Sequence, residues 1–250
     1  RNADVTIAFV GLNPSLEGEE MSVAAAGFAG GDRTTLDLPE PQLRLLDAVF
    51  ATGKPVVVVL TSGSAVALNT AAKRAAAVLV AWYGGEEIGT AIAETLAGEN
   101  NPAGRLPVTF YTSVAELPPF EDYSMNGRTY RYFAGDALYG FGFGLSYSTF
   151  RYSELRTQRR GDGSARVSAH VKNTSAREGD EVVQLYVSGG TAPGDPIRTL
   201  RGFQRVHLAA GETREVEFTL ARDALPKDKV RISVGGGQSA GRVARVSGKL

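Results

Sequence analysis

The chain has 250 residues, long enough for two modest domains or one large one, and its 43% hydrophobic and 22% charged residues describe a globular protein. Twenty-seven basic residues balance 27 acidic ones, so there is no electrostatic footprint for nucleic acid or an anionic membrane, and no apolar run approaches the roughly 20 residues of a membrane helix. Cysteine is absent, which excludes disulfides, thiolate nucleophiles and cysteine-based metal sites.

Arg1-Asn2-Ala3-Asp4 runs straight into a strand pattern without the features of a signal peptide, and implies the middle of a larger protein. Val5 to Val10 is a short apolar run rich in β-branched residues, which suits a strand covered on both faces. The loop that follows, Leu12 to Leu38, is far longer than the about two to six residues usual between strand and helix. It carries Glu17, Glu19 and Glu20, carboxylates that repel one another and need a reason to be adjacent, then Gly31-Asp32-Arg33. Its length and acidity mark it as functional. Pro41 to Ala51 has helical periodicity, and Gly53 stops it as a C-terminal cap. Val56 to Leu60 reads as a second strand, Ala65 to Lys73 as a weaker helix and Ala77 to Trp82 as a third strand. Glu86 to Leu96 places Ile88, Ala91, Ile92 and Leu96 on one helical face. After the turn Asn101-Pro102-Ala103-Gly104, Val108 to Phe110 reads as a fourth strand. This alternation predicts an α/β layered domain with a mostly parallel sheet.

In such sheets ligands bind beyond the carboxyl ends of the strands, so three loops should share one rim: Leu12 to Thr35, Thr61 to Ser64, and Tyr83 to Glu87. An acidic rim with aromatics suits neutral polyols such as sugars better than phosphates. Glu86 and Glu87 fit the first turn of a helix, where the dipole favours them, better than catalysis. No glycine-rich phosphate loop follows the first strand, and Gly140-Phe141-Gly142-Phe143-Gly144 has no helix behind it, so it reads as packing or a joining strand. The only histidines, His170 and His207, fall in strand-like runs of the second half and read as surface residues. A Ser-His-Asp triad or His-rich metal site in the first half is thereby excluded, and no metal or cofactor is expected.

Ser113 to Tyr147 is irregular and rich in proline and aromatics, as a connecting region would be. From about Ser148 the period becomes two: Ala165 to Lys172, Val182 to Val187, Arg214 to Leu220 and Lys229 to Val234 read as strands between turn signals. An all-β sandwich of the fibronectin type III or immunoglobulin kind is predicted over 148–250, after an α/β domain over 1–147 whose stretch 113–147 is the connection. Asp180-Glu181 and Arg198 to Arg205 read as solvated strand edges and loops.

Gly11-Leu12-Asn13, the Glu-x-Glu run, Asp32-Arg33, Leu36-Asp37-Leu38-Pro39 and Gln42 together resemble glycoside hydrolase family 3. So do Trp82-Tyr83 with Gly85-Glu86, the run Asn101 to Thr109, Tyr139 with Phe141-Gly142, and Gly144-Leu145-Ser146-Tyr147. Leu200-Arg201-Gly202-Phe203 and Leu208 to Gly211 resemble the fibronectin-like module that ends many members. Gly84 and Gly140 stand where proline is common. The resemblance implies a three-part retaining glycosidase that removes β-linked sugars from non-reducing ends: a barrel bearing an Asp nucleophile, an α/β sandwich bearing the acid/base Glu, and the fibronectin-like domain. This sequence matches the last two parts. An N-terminal barrel domain of the same protein is thus the implied partner, a glycoside or oligosaccharide the implied substrate, no turnover is expected from these residues alone, and the implied location is periplasmic or secreted.

In the family motif an acidic residue, a variable residue, the acid/base Glu and Gly follow one another. Glu17 takes the first place and Glu19 the acid/base place, while Glu20 stands where Gly is usual, so the resemblance assigns Glu19, with Glu17 and Glu20 as alternatives. Asp32 and Arg33 read as an ion pair that structures the loop. Retaining hydrolysis needs two carboxyl groups about 5 Å apart, and a long loop can carry one across to the other domain. Neighbouring carboxylates also offer a route to the raised pKa of a general acid. The run Glu17 to Met21 and Gly127 to Phe133 resemble bacterial β-xylosidases of the family most, and β-glucosidases next; the alternative to an enzyme part is a non-catalytic carbohydrate-binding or interaction module.

Overall fold

Thr6–Gly11 (β1) opens a computed structural model that describes residues 2–18, 21–190, 192–226, 230–238 and 244–250. The chain divides into two units: Arg1–Glu94 with Phe110–Leu117 and Asp136–Leu138, and Thr95–Thr109 with Pro118–Gly135 and Tyr139–Leu250.

In the first unit β1 leads into the acidic loop, which folds a small antiparallel ribbon of Phe28–Ala29 (β2) and Asp32–Arg33 (β3). Glu40–Phe50 (α1) follows, started by Glu40-Pro41 and burying Leu46 and Phe50 one turn apart. Val56–Thr61 (β4), Asn69–Arg74 (α2), Ala77–Val80 (β5) and Ile88–Ala97 (α3) complete the alternation, α3 running into the second unit. The three long strands form a parallel sheet in the order β1-β4-β5, with Thr6 opposite Val56 and Val57 opposite Ala77. β4, with strands on both sides, buries Val58, Val59 and Leu60 completely. β1 buries Ala8 and Val10, while Ile7 and Phe9 on its other face stay 45% and 58% exposed.

Two expected elements differ. The helix foreseen from Ala65 starts only at Asn69, because Ala67 donates its N–H to Leu36 O and the Ala65 carbonyl accepts from Arg33. Val108 to Phe110 makes only a single bridge at Phe110. Pro107 has no N–H to give a ladder, and Leu106 instead exchanges hydrogen bonds with Gly142 and Phe143, at 2.7 and 2.8 Å.

The second unit is a sandwich of antiparallel sheets. Phe150–Arg159 (β6), Ala165–Asn173 (β7) and Thr213–Leu220 (β10) form one, in the order β10-β7-β6. Gly179–Ser188 (β8), Thr199–Leu208 (β9), Arg231–Gly235 (β11) and Arg245–Lys249 (β12) form the other, in the order β12-β11-β8-β9. Inward residues such as Val167, Val171, Val183, Leu185, Leu208, Val216 and Ile232 make one core between them. The connecting stretch adds a single helical turn, Thr129–Tyr132, and aromatic packing: Tyr130 stacks on Phe141 at 4.3 Å and Tyr139 on Phe143 at 5.5 Å.

Arg198 to Arg205 is a solvated strand edge: most of it lies in β9, at the end of its sheet, with Arg201 and Arg205 on the exposed face. Glu181 is not solvated but 3% exposed, held by Arg105 Nη2 at 2.6 Å and Tyr152 Oη at 2.6 Å. Glu181 shares a face of β8 with Val183, Leu185 and Val187, which point into the core of the sandwich.

Candidate functional site on the carboxyl rim of the parallel sheet

The acidic loop leaves β1 at Gly11, whose φ is +145° and where an added Cβ would stand 1.7 Å from Thr61 O. Only glycine lets the chain turn this close to β4. Gln42 at the start of α1 fixes the same peptide from the other side, accepting from Gly11 N and donating to Gly11 O, both at 2.8 Å. Leu12 and Leu38 are buried at the two ends of the loop. Asn13 Oδ1 then accepts from Ser15 N and Leu16 N, and Asn13 O from Leu16 N and Glu17 N, a turn that swings Glu17 over the sheet edge.

All three rim loops converge on the Glu17 carboxylate. It accepts from Gly63 N at 2.9 Å, from Ser64 Oγ and from Tyr83 Oη. Partial burial pushes this carboxyl up, but the hydrogen bonds from Ser64, Tyr83 and Gly63 and the charge of Arg33 outweigh it and hold the group below its ordinary pKa. Burial first, and then the bond to Glu17 and its charge, push the Tyr83 phenol up to about 12. The shift is downward, whereas general acids are commonly tuned upward.

Arg33 buttresses the cluster from below, donating from Nη1 to Ser64 Oγ at 2.8 Å and to Ala65 O at 2.9 Å. It does not pair with Asp32, which is exposed: successive residues of a β-strand point to opposite faces, so the expected ion pair gives way to a tie between Arg33 and the loop after β4. Trp82 adopts φ +57°, a left-handed conformation costly for a bulky residue, and lies edge-on to Phe110 with centroids 6.0 Å apart. Glu86 and Glu87 are exposed just ahead of α3 and take no part in the cluster. Glu19 and Glu20 lie outside the described residues; the flanking Gly18 and Met21 touch each other. Among the described residues, no group of three or more His, Asp or Glu side chains is arranged to hold a metal.

The sequence put these three loops on one rim but did not single out Ser64 and Tyr83 as partners of Glu17, because only the fold brings positions 47 and 66 residues away into reach. The roles of Asn101 and Arg105 in the second unit were likewise hidden. Asn101 accepts from Ser146 Oγ and Tyr147 N and donates to Ser148 Oγ and Glu178 O, which uses its whole amide.

The family model of the glycosyl hydrolase family 3 C-terminal domain matches residues 1–147, and that of the fibronectin type III-like domain matches residues 181–226. A xylan 1,4-beta-xylosidase of Xylanibacter ruminicola is 47% identical over 216 residues, 86% of this chain and 25% of the relative. A periplasmic beta-glucosidase of Salmonella typhimurium is 38% identical over 242 residues, 90% of this chain and 30% of the relative. The solved structure of a Bifidobacterium adolescentis GH3 beta-glucosidase superposes with a TM-score of 0.85 at 33% identity, covering 100% of this chain and 39% of that one. The chain therefore spans from a quarter to about two fifths of the length of these relatives. With more than half of its residues matched by the family model, and a parallel α/β unit followed by a fibronectin-like sandwich, the chain belongs to glycoside hydrolase family 3.

Proposed function

We propose that this chain is the acid/base-bearing portion of a retaining, exo-acting β-glycosidase, with β-xylosides as substrates and β-glucosides as the alternative. The observation that carries the reading is the 47% identity to a xylan 1,4-beta-xylosidase across 86% of the chain, against 38% for the beta-glucosidase. In this reading an Asp of a barrel domain, outside these residues, attacks the anomeric carbon while Glu19 protonates the departing glycosidic oxygen. Water then displaces the enzyme carboxylate, and Glu19 takes its proton. Among the three carboxylates of the loop, Glu17, Glu19 and Glu20, the family motif favours Glu19.

Replacing Glu19 with Ala in the full-length enzyme tests this. Hydrolysis of poorly activated xylosides should fall by about 100- to 10,000-fold, the scale of general acid catalysis. Substrates with good leaving groups should be partly spared, and azide should restore turnover by forming the glycosyl azide. Unchanged activity on all substrates would remove Glu19 from the mechanism. The ratio of kcat/KM for matched xylosides and glucosides decides the sugar.

A further inference from the structure

We infer that Glu17 is a positioning residue: its carboxylate locks the acidic loop against the loops that follow β4 and β5, and so sets where the proton donor of that loop stands. The inference rests on the reading of Glu19 as that donor, two residues further along the chain.

The geometry makes Glu17 a junction. Among the described residues, the hydrogen bonds from residues 13–18 to the other two rim loops all end on this one carboxylate, through Gly63, Ser64 and Tyr83. Each partner is a donor, so the junction needs an acceptor-only group. Arg33 fixes the far side by holding Ser64 Oγ and Ala65 O. The peptide that leads out of Glu17 is gripped as well. Gly18 is buried, and Gly31 approaches it so closely that an added Cβ would stand 2.2 Å from Gly18 O. A backbone pinned on both sides immediately before Glu19 is what pre-organising a proton donor requires, since displacement by about 1 Å can cost about 100-fold in rate. Gln at position 17 would set an amide N–H₂ against either Ser64 Oγ or the pair Gly63 N and Tyr83 Oη, and Phe at position 83 would remove one donor and keep the ring.

Full-length Glu17→Gln, Tyr83→Phe and Glu19→Ala are compared on aryl xylosides of high and low leaving-group pKa, with melting temperature as the folding control. The expected result is graded. Glu17→Gln lowers kcat by about 100-fold on the poor leaving group and far less on the good one, and Tyr83→Phe does so to a smaller extent. For both, KM holds, the melting temperature falls only slightly, and azide gives no rescue, because the acid is present but displaced. Equal losses on both substrates with a lowered melting temperature would reduce Glu17 to a structural role and overturn the inference. Full activity in Glu17→Gln beside an azide-rescued collapse in Glu19→Ala would also overturn it, while leaving Glu19 as the acid. Azide rescue of a Glu17 variant, with Glu19→Ala unaffected, would make Glu17 itself the proton donor and sink both readings.

Discussion

A carboxylate that accepts from a backbone N–H and two hydroxyls is an anchor whose strength depends on its charge. The Glu17 pKa is lowered in the folded chain, so its contribution is complete above the ordinary glutamate range and is lost as pH falls through the lowered value. Hydrogen exchange followed from about pH 6 to about pH 3, after correction for intrinsic rates, should show residues 13–18 and 62–64 losing protection before the amides of β4. Uniform loss across the unit would contradict the anchor. The same residue shows the limit of reading a sequence at this scale. Its spacing from Glu19 made it an alternative acid, but its actual partners come from loops 46 to 66 positions away. Asp32 and Arg33 misled in the opposite way, since adjacency in sequence suggested a pair that the alternation of a strand separates.

Elements were legible where burial is two-sided and uniform. Val56 to Leu60 could be read from its β-branched run alone, and its observed bounds, Val56–Thr61, differ by one residue. Strands with a charged outer face were not: β6 carries Arg151, Glu154 and Arg156, and β9 carries Arg201, Arg205 and His207, a pattern that a solvated loop would share. Nor could the sequence pair Arg105 with Glu181, 76 positions on, at the joint between the Asn101 to Pro107 run and β8. Burial pushes the Glu181 carboxyl up against the pull of Arg105 and the Tyr152 hydrogen bond, so the charge is tolerated there only because it is partnered. Arg105→Ala, which strands that carboxyl, should destabilise the sandwich unit by about 3–5 kcal/mol in denaturant melts. Replacing both residues by apolar ones of similar volume, Arg105→Met with Glu181→Leu, should recover most of the loss.

For the whole molecule, the switch of hydrophobic period from helical to two announced an α/β part followed by an all-β part, and the ordered motifs identified the family. The chemistry was less accessible, because the chain spans only 25% of the xylosidase relative and 39% of the solved beta-glucosidase. β1 stands at the end of the β1-β4-β5 order, with one edge unpaired among the described residues and Ile7 and Phe9 turned outward. An open edge beside exposed apolar side chains is a template for strand addition by another molecule. Prepared at high concentration, the 250-residue chain should self-associate through β1, and light scattering should detect it. Ile7→Lys, a charge on that exposed face, should suppress the association without disturbing Ala8 or Val10 beneath it. The shelf life of such a preparation would then be set by one six-residue strand.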